Sequence, residues 1–251
     1  MRTALGIDVG GSGVKGALVD LDKGEFVTER FRIETPQPAT PEAVADVIGR
    51  IVEHFGVGDD APIGVCFPAP LPDGVAPYIA NLDQAWAGLN VAEFIGERIG
   101  RSVSALNDAD AAGLAEMRHG VGKTRSKGVV LFTTLGTGIG SALFIDGRLV
   151  PNTELGHLEI DGHDAESRAA ASVRKAKDLS WPKYIKRLQR YYEVVVNLFS
   201  PSLIVVGGGI SRKHDKFLPH LKLRCEIVPA ELRNTAGIVG AATFAAEQSE
   251  K

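Results

Sequence analysis

The feature that most constrains this chain is a glycine-rich turn written twice. Gly11-Ser12-Gly13-Val14-Lys15-Gly16-Ala17-Leu18 lines up without gaps against Gly136-Thr137-Gly138-Ile139-Gly140-Ser141-Ala142-Leu143, and the two copies start about half of the 251 residues apart. Each copy follows an apolar run, Thr3–Ile7 or Gly128–Phe132, and leads into another, Ala17–Val19 or Ala142–Ile145. Strand, tight turn, strand, once per half, predicts a duplicated α/β core. Glycine permits positive φ and leaves backbone N–H groups uncovered, so such a turn approaches phosphate oxygens closely. Two of them facing each other would clamp a phosphate chain from both sides.

The composition leaves room for that core, with 44% hydrophobic and 24% charged residues, ordinary for a globular chain. A net charge of −3 gives no electrostatic case for nucleic acid as a partner. No apolar run reaches the roughly 18 residues of a membrane span, and Met1-Arg2-Thr3 enters a strand without a signal-peptide layout. No nucleic acid and no membrane are therefore expected as partners. Cys66 and Cys225 are the only cysteines, so a disulfide framework is not expected and a reducing cytoplasm is the simple inference. Two cysteines also cannot build a Cys-rich zinc site.

The element pattern is mixed. Thr3–Val9, Gly16–Val19 and Phe26–Ile33 read as strands around glycine turns. Thr40-Pro41-Glu42 starts a helix, with Thr40 as cap, Pro41 at the first position and Glu42 at the positive end. Val44, Val47, Ile48, Ile51 and Val52 recur at helical spacing up to Gly56. Pro62–Phe67 reads as a buried strand, Pro68–Pro77 as a loop, Val91–Ile99 as a helix and Val103–Leu106 as a strand. In the second half, Asp108–Met117 is helical and Gly128–Thr134 is a strand before the second turn. A hairpin follows at Asp146-Gly147. Residues 165–197 are mostly helical with a break at Trp181-Pro182, Leu203–Val206 is a buried strand, and Ile238–Glu247 is a final helix.

Several short strings can carry chemistry. Asp8 stands before the first turn, in Gly6-Ile7-Asp8-Val9-Gly10-Gly11. A carboxylate at a strand end beside a phosphate loop suits Mg²⁺, held directly or through water; the plainer alternative is a turn-capping Asp. Lys15 either neutralises a phosphate oxygen or is a solvated surface lysine. Gly11-x-Gly13-x-x-Gly16 also fits the dinucleotide fingerprint, but that motif needs a helix directly after the glycines, whereas Val14, Val19 and Val27 favour strand. The same string is similar to the start of the protein-kinase glycine loop, yet no His-Arg-Asp or Asp-Phe-Gly follows.

Asn107-Asp108-Ala109-Asp110 lies at a strand-to-helix junction. An acid there is either an ordinary helix-start residue or a general base for an attacking hydroxyl. Glu154-Leu155-Gly156-His157-Leu158-Glu159 gathers polar groups for a metal, for sugar hydroxyls, or for a plain polar loop; one His and no nearby Cys weigh against the metal. Gly207-Gly208-Gly209-Ile210-Ser211 either lets a nucleotide lie close to the backbone or makes a tight strand-to-helix turn. The basic run Arg174, Lys175, Lys177, Lys183, Lys186, Arg187 and Arg190 is a solvated helix face unless the ligand is a long polyanion.

Taken in order, these strings resemble the ROK family of sugar kinases, within the actin/hexokinase/Hsp70 superfamily, along essentially the whole chain. Asp8–Gly16 resembles the family's first phosphate motif and Leu135–Gly140 the second. Gly207–Ser211 resembles the adenosine motif, Asn107–Ala112 the catalytic segment, and Glu154-x-Gly156-His157 the sugar-binding motif. Many relatives follow Gly-His with a Cys-rich zinc motif. Here Asp161–Ser172 has no Cys, so no zinc is expected and His157 is freed from ligand duty. That stretch, with Arg174 and Lys177-Asp178-Leu179-Ser180-Trp181, is similar to the branch that uses inorganic polyphosphate, and commonly ATP, as phosphoryl donor to glucose.

The resemblance implies two ribonuclease-H-like α/β domains of the actin-like ATPase type, with an interdomain cleft. The small one would hold residues 1–107 with the last helix, 238–251, and the large one residues 108–237. It implies Asp108 as general base toward the 6-hydroxyl of glucose, and Mg²⁺ near Asp8. Phosphates would meet Gly10, Gly11, Ser12, Gly13 and Lys15 on one side and Thr134, Gly136, Thr137 and Gly138 on the other. Asn81, Asn107, Asp108, Glu154, His157 and Glu166 would hold the sugar, and Gly207, Gly208 and Gly209 a nucleotide. The Arg174–Arg190 segment with Arg212 and Lys213 would form a polyphosphate track. A homodimer is expected from the family. The alternatives are a hexokinase of the same family that uses ATP alone, and a sugar-sensing protein without catalysis. A DNA-binding repressor of this family would carry an added N-terminal helix pair, which is not expected here.

Overall fold

The first apolar run and its glycine turn form a hairpin of β1 (Thr3–Gly10) and β2 (Gly13–Asp20). The computed structural model describes residues 2–250; Met1 and Lys251, the outer ends of the expected domains, lie outside that range. Gly10 pairs with Gly13, so Gly11 and Ser12 alone make the turn. The strand expected from Phe26 to Ile33 is instead two short ones, β3 (Glu25–Phe26) and β4 (Phe31–Ile33), both paired with β2. Between them the Thr28 hydroxyl accepts from the Leu18 N–H at 3.1 Å, so a side chain replaces a ladder carbonyl and interrupts the strand.

Helix α1 (Pro41–Phe55) starts and stops as its sequence dictates. The Thr40 hydroxyl accepts from Ala43 N–H, a cap worth about 1 kcal/mol, and Gly56 ends the helix at φ 54°. Its buried face is Val44, Val47, Ile48, Ile51 and Val52. Next come β5 (Ile63–Phe67), α2 (Val91–Ile99) and β6 (Ser104–Asn107), with β5 parallel to β1 and β6 parallel to β5. The sheet order is β3-β2-β1-β5-β6. α3 (Asp108–His119) begins directly where β6 ends. The closing helix, Ala236–Ser249, is pressed against this sheet. A Cβ on Gly6 or Gly64 would strike the carbonyl oxygens of Ile238 or Ala241, and one on Gly240 would strike that of Ala111.

The second half builds β7 (Val129–Leu135), β8 (Ile139–Ile145) and β9 (Arg148–Val150). A small hairpin follows, β10 (Glu159–Ile160) and β11 (His163–Asp164). Then come α4 (Glu166–Ala169), α5 (Ala171–Ala176) and α6 (Trp181–Phe199), and the strands β12 (Leu203–Gly207) and β13 (Glu226–Pro229). The break expected at Trp181-Pro182 is a helix start, because proline at the first turn forfeits no helical hydrogen bond. α6 buries Tyr184, Leu188, Tyr191, Tyr192, Val195 and Val196 on one face. The Tyr192 hydroxyl lies 2.9 Å from that of buried Thr133.

This sheet runs β13-β12-β7-β8-β9, a hairpin pair plus two parallel strands, the same plan as the first. The ungapped repeat hides one difference. In the second hairpin Leu135 pairs with Ile139, so Gly136, Thr137 and Gly138 form a three-residue loop.

The chain divides into two units, one reaching Ala115 and resuming at Thr235, the other running Glu116–Asn234. The division falls inside α3 rather than at 107/108, because the first turns of that helix pack on the closing helix.

Candidate functional site

In the first unit the turn is stiffened from its flanks. Arg32 on β4 lays its guanidinium over Gly13, where a Cβ would lie 2.6 Å from Nε, and donates to the Ser12 carbonyl at 2.7 Å. The Thr35 hydroxyl donates to the Gly10 carbonyl. None of Gly10, Gly11 and Gly13 adopts a left-handed φ, and neither do Gly136 and Gly138. At Gly13 and Gly138 the need is therefore for the missing Cβ, and not for the positive φ that glycine permits.

Asp8 sits on β1 opposite Lys15 on β2 and Cys66 on β5. Lys15 Nζ is 3.3 Å from Asp8 Oδ2, and both side chains are about 30% exposed. Cys66 Sγ donates to Asp8 Oδ1 at 3.5 Å. Burial, followed by the Asp8 and Asp108 carboxylates, holds that thiol well above its usual range, so it is no nucleophile. Asn81 adjoins the turn, with its carbonyl oxygen 3.2 Å from where a Gly11 Cβ would lie.

At the β6–α3 junction the acids are not the cap. Buried Asn107 is, its Oδ1 accepting from the N–H of Ala109 at 2.9 Å and of Asp110 at 3.1 Å. Asp108 is exposed at the first helical position, its Oδ1 accepting from Ala109 N–H at 2.7 Å. The positive end of the helix favours a negative charge there. The first unit thus gathers Asp8, Gly10–Gly13, Lys15, Asn81, Asn107 and Asp108.

The second unit gathers the other predicted residues around its own turn. The Glu166 carboxylate covers Gly138, where any Cβ would collide with it, and accepts from Ile139 N–H at 3.0 Å. Ser172 donates to the Thr137 carbonyl through its hydroxyl at 2.6 Å and to the Gly136 carbonyl through its N–H at 3.0 Å. Gly156 is pressed on the Ile139 carbonyl, and the Ser141 hydroxyl accepts from Leu155 N–H at 3.0 Å. These contacts bring Glu154 and His157 to the same turn. Gly207 pairs with Thr134, and Gly208, at φ 81°, rests on the Leu135 backbone where a Cβ would not fit. Beside Gly209 the space is open. The segment after it is a kinked 3₁₀ stretch, Gly209–Lys216.

Electrostatics single out two of these groups. Burial pushes the Glu154 carboxyl above the ordinary range. His157 is raised first by its hydrogen bond to Asp164, Nδ1 to Oδ2 at 2.8 Å, and then by the nearby Glu166, Asp164 and Glu154 charges. The ligating atoms of His157, Asp164 and Glu166 lie within 4.8 Å of one another. Here Nδ1 is taken by Asp164 and Glu166 Oε2 by Ile139, so the contacts present are hydrogen bonds.

The basic run does not act as one face. Lys186, Arg187 and Arg190 join Arg168 around a cavity of about 180 Å³ floored by Ile160 and Tyr191. Arg187 donates to the Arg168 carbonyl at 3.0 Å, and Arg190 makes a bidentate pair with Asp161. Arg174 instead stacks on Trp181, 3.9 Å from the ring centroid. Arg212 and Lys213 are exposed on the Gly209–Lys216 stretch.

Sequence reasoning missed Arg32, Ser172, Asp164 and Arg168. Each is placed at the turns or the cavity by a contact that no motif spacing encodes.

A model of the ROK family matches residues 4–170. The chain belongs to the ROK family. It is 51% identical over 242 residues to a polyphosphate glucokinase of Mycobacterium tuberculosis (strain CDC 1551 / Oshkosh), covering 96% of this chain and 90% of that one. It is 52% identical to the inorganic polyphosphate/ATP-glucomannokinase of Arthrobacter sp. strain KM. That crystal structure matches with a TM-score of 0.91, covering 99% of this chain and all 100% of the other. The ROK family glucokinase of Streptomyces griseus, solved with glucose and AMPPNP, matches with a TM-score of 0.80 over 98% of this chain and 99% of its own. At 22% identity that last likeness is one of fold. The two sheets are thus those of ROK sugar kinases, the actin-like ATPase fold.

Proposed function

We propose that this protein transfers the terminal phosphoryl group of inorganic polyphosphate, and of ATP, to the 6-hydroxyl of glucose. The observation that carries this reading is the match of about half of all positions, along nearly the whole chain, to enzymes named for that donor and that sugar.

In the proposed reaction Asp108 accepts the proton of the glucose 6-hydroxyl as that oxygen bonds to phosphorus. The bridging P–O bond breaks, and the shortened polyphosphate or ADP leaves with its electron pair. Such a transfer is dominated by positioning and electrostatics. Asn107, whose Oδ1 caps α3, sets where Asp108 stands. The backbone N–H groups of Gly10–Gly13 and of Gly136–Gly138 serve the phosphates, and Lys15 and Arg32 add positive charge beside the first turn. Thr134 lies at the base of the second. Asn81, Asn107, Glu154, His157 and Glu166 hold the sugar hydroxyls, while Gly207, Gly208 and Gly209 serve the nucleotide when ATP is the donor.

Asp8 suits Mg²⁺. It is a partly exposed carboxylate beside the phosphate turn, and Mg²⁺ is commonly held by one or two carboxylates plus substrate phosphates. When bound, the ion offsets charge on the donor phosphates. For the polyphosphate chain we propose the cation-lined cavity at Arg168, Lys186, Arg187 and Arg190. Two free cysteines agree with a reducing cytoplasm, and we propose a homodimer on the family resemblance.

The deciding experiment compares polyphosphate with ATP in glucose-6-phosphate formation with Mg²⁺. Turnover with both is expected. Turnover with ATP alone would leave an ATP-specific hexokinase, and glucose binding without turnover a sugar sensor.

A further inference from the structure

We propose that Asp164 is a positioning residue for the sugar site, holding the His157 ring so that its Nε2 is presented to a glucose hydroxyl. The proposal rests on the reading above, in which His157 meets the sugar.

His157 stands at the end of a three-residue 3₁₀ turn, Leu155–His157, and its side chain is 49% exposed. Such a ring would rotate freely in solvent and would have to be ordered as the sugar arrives. Its Nδ1 lies 2.8 Å from Asp164 Oδ2. A carboxylate accepts and does not donate, so the proton is on Nδ1. This fixes both the ring rotation and the tautomer, and leaves Nε2 as the only ring nitrogen open to a ligand. Neutral, Nε2 accepts from a sugar hydroxyl; protonated, it donates to one. In both states Nδ1 keeps its proton and donates it to Asp164.

Asp164 is itself held from several sides. It pairs with Glu159 in the β10–β11 hairpin. Its Oδ1 accepts from Ser167 N–H at 3.2 Å, and the Ser167 hydroxyl donates to its carbonyl at 2.6 Å. One side chain therefore joins the start of α4, which carries Glu166, to the turn that carries His157. The other titratable groups facing His157 are Glu154 and Glu166, both acidic and both proposed to meet the sugar. Three carboxylates surround the ring, and among the described residues only Asp164 has a hydrogen bond to it. A group ordered before binding forfeits less entropy when the ligand arrives.

The test is a double-mutant cycle on glucose KM and kcat, using polyphosphate as donor. Asp164→Ala should raise glucose KM about tenfold, with polyphosphate KM unchanged. Asp164→Asn should stay within about threefold, because its amide oxygen still accepts from Nδ1. In a His157→Gln background, Asp164→Ala should add less than about twofold, since Asp164 then has no ring to hold. The ring ¹⁵N signals of His157 should show the proton on Nδ1 in the native enzyme and lose that preference in Asp164→Ala. An undiminished Asp164→Ala effect in the His157→Gln background would overturn the proposal, as would an unchanged glucose KM in Asp164→Ala. Full turnover in which His157→Gln itself leaves glucose KM untouched would overturn the sugar role of His157, and the positioning role with it. The donor comparison would be unaffected by that result.

Discussion

The two glycine hairpins share a backbone plan and differ in what they carry. The first closes with two residues and has charge built into its strands, Asp8 opposite Lys15, with Arg32 on the next strand over. The second closes with three residues, and its strands offer only Thr133, Thr134, Gly140 and Ser141 at the matching places. Its polar groups come from segments that follow the hairpin: Glu154, His157, Glu166 and Ser172. A repeated ladder therefore fixes where a turn lies, while the chemistry beside each turn was assembled separately.

The largest expected effect tests whether proton transfer belongs to the first unit alone. Asp108→Asn should lower kcat by about 10²–10⁴ while glucose binding is retained, read from kcat and from a glucose dissociation constant. Near-normal turnover would remove Asp108 as base and erase the contrast. The next contrast lies inside the second turn. Gly138→Ala drives a methyl group into the Glu166 carboxylate, whereas Gly136→Ala has nothing within 4 Å. Glucose KM should rise about tenfold in the first variant and less than about twofold in the second. Equal effects would mean that Glu166 does not reach the sugar. The smallest effect concerns the donor. Lys186→Glu with Arg187→Glu should raise KM for long polyphosphate about fivefold, more at low salt, and leave ATP unchanged. A matching rise for ATP would move the track elsewhere.

The strands, α1 and the glycine turns were legible because each rests on local physics. Thr40, Pro41 and Gly56 punctuate α1, and an unbroken buried run, Ala4–Ile7, marks β1. The three-residue second loop was not legible, because an ungapped match in letters says nothing about which residues pair. The split of β3 from β4 depends on one hydroxyl, that of Thr28, competing with the ladder. Asn107, and not an acid, proved to be the cap, since all three candidates are ordinary cap residues and only geometry chooses among them. Trp181-Pro182 was ambiguous for a similar reason: proline breaks a helix inside and suits its first turn. Asp164 stood in a stretch noted for lacking cysteine and for its likeness to the polyphosphate-using branch, with no role given to Asp164 itself. Its seven-residue offset from His157 crosses a hairpin whose folding sets the contact.

The closing helix has a consequence for synthesis. Its carbonyls lie where β1 and β5 have Gly6 and Gly64 in place of any side chain, so its backbone rests directly on that face of the sheet. The ribosome delivers β1 long before this helix. The first unit must therefore wait, one face of its sheet uncovered, while the whole second unit is translated and free to fold. Until that helix emerges, the half that bears Asp108 is the half exposed to chaperones and proteases.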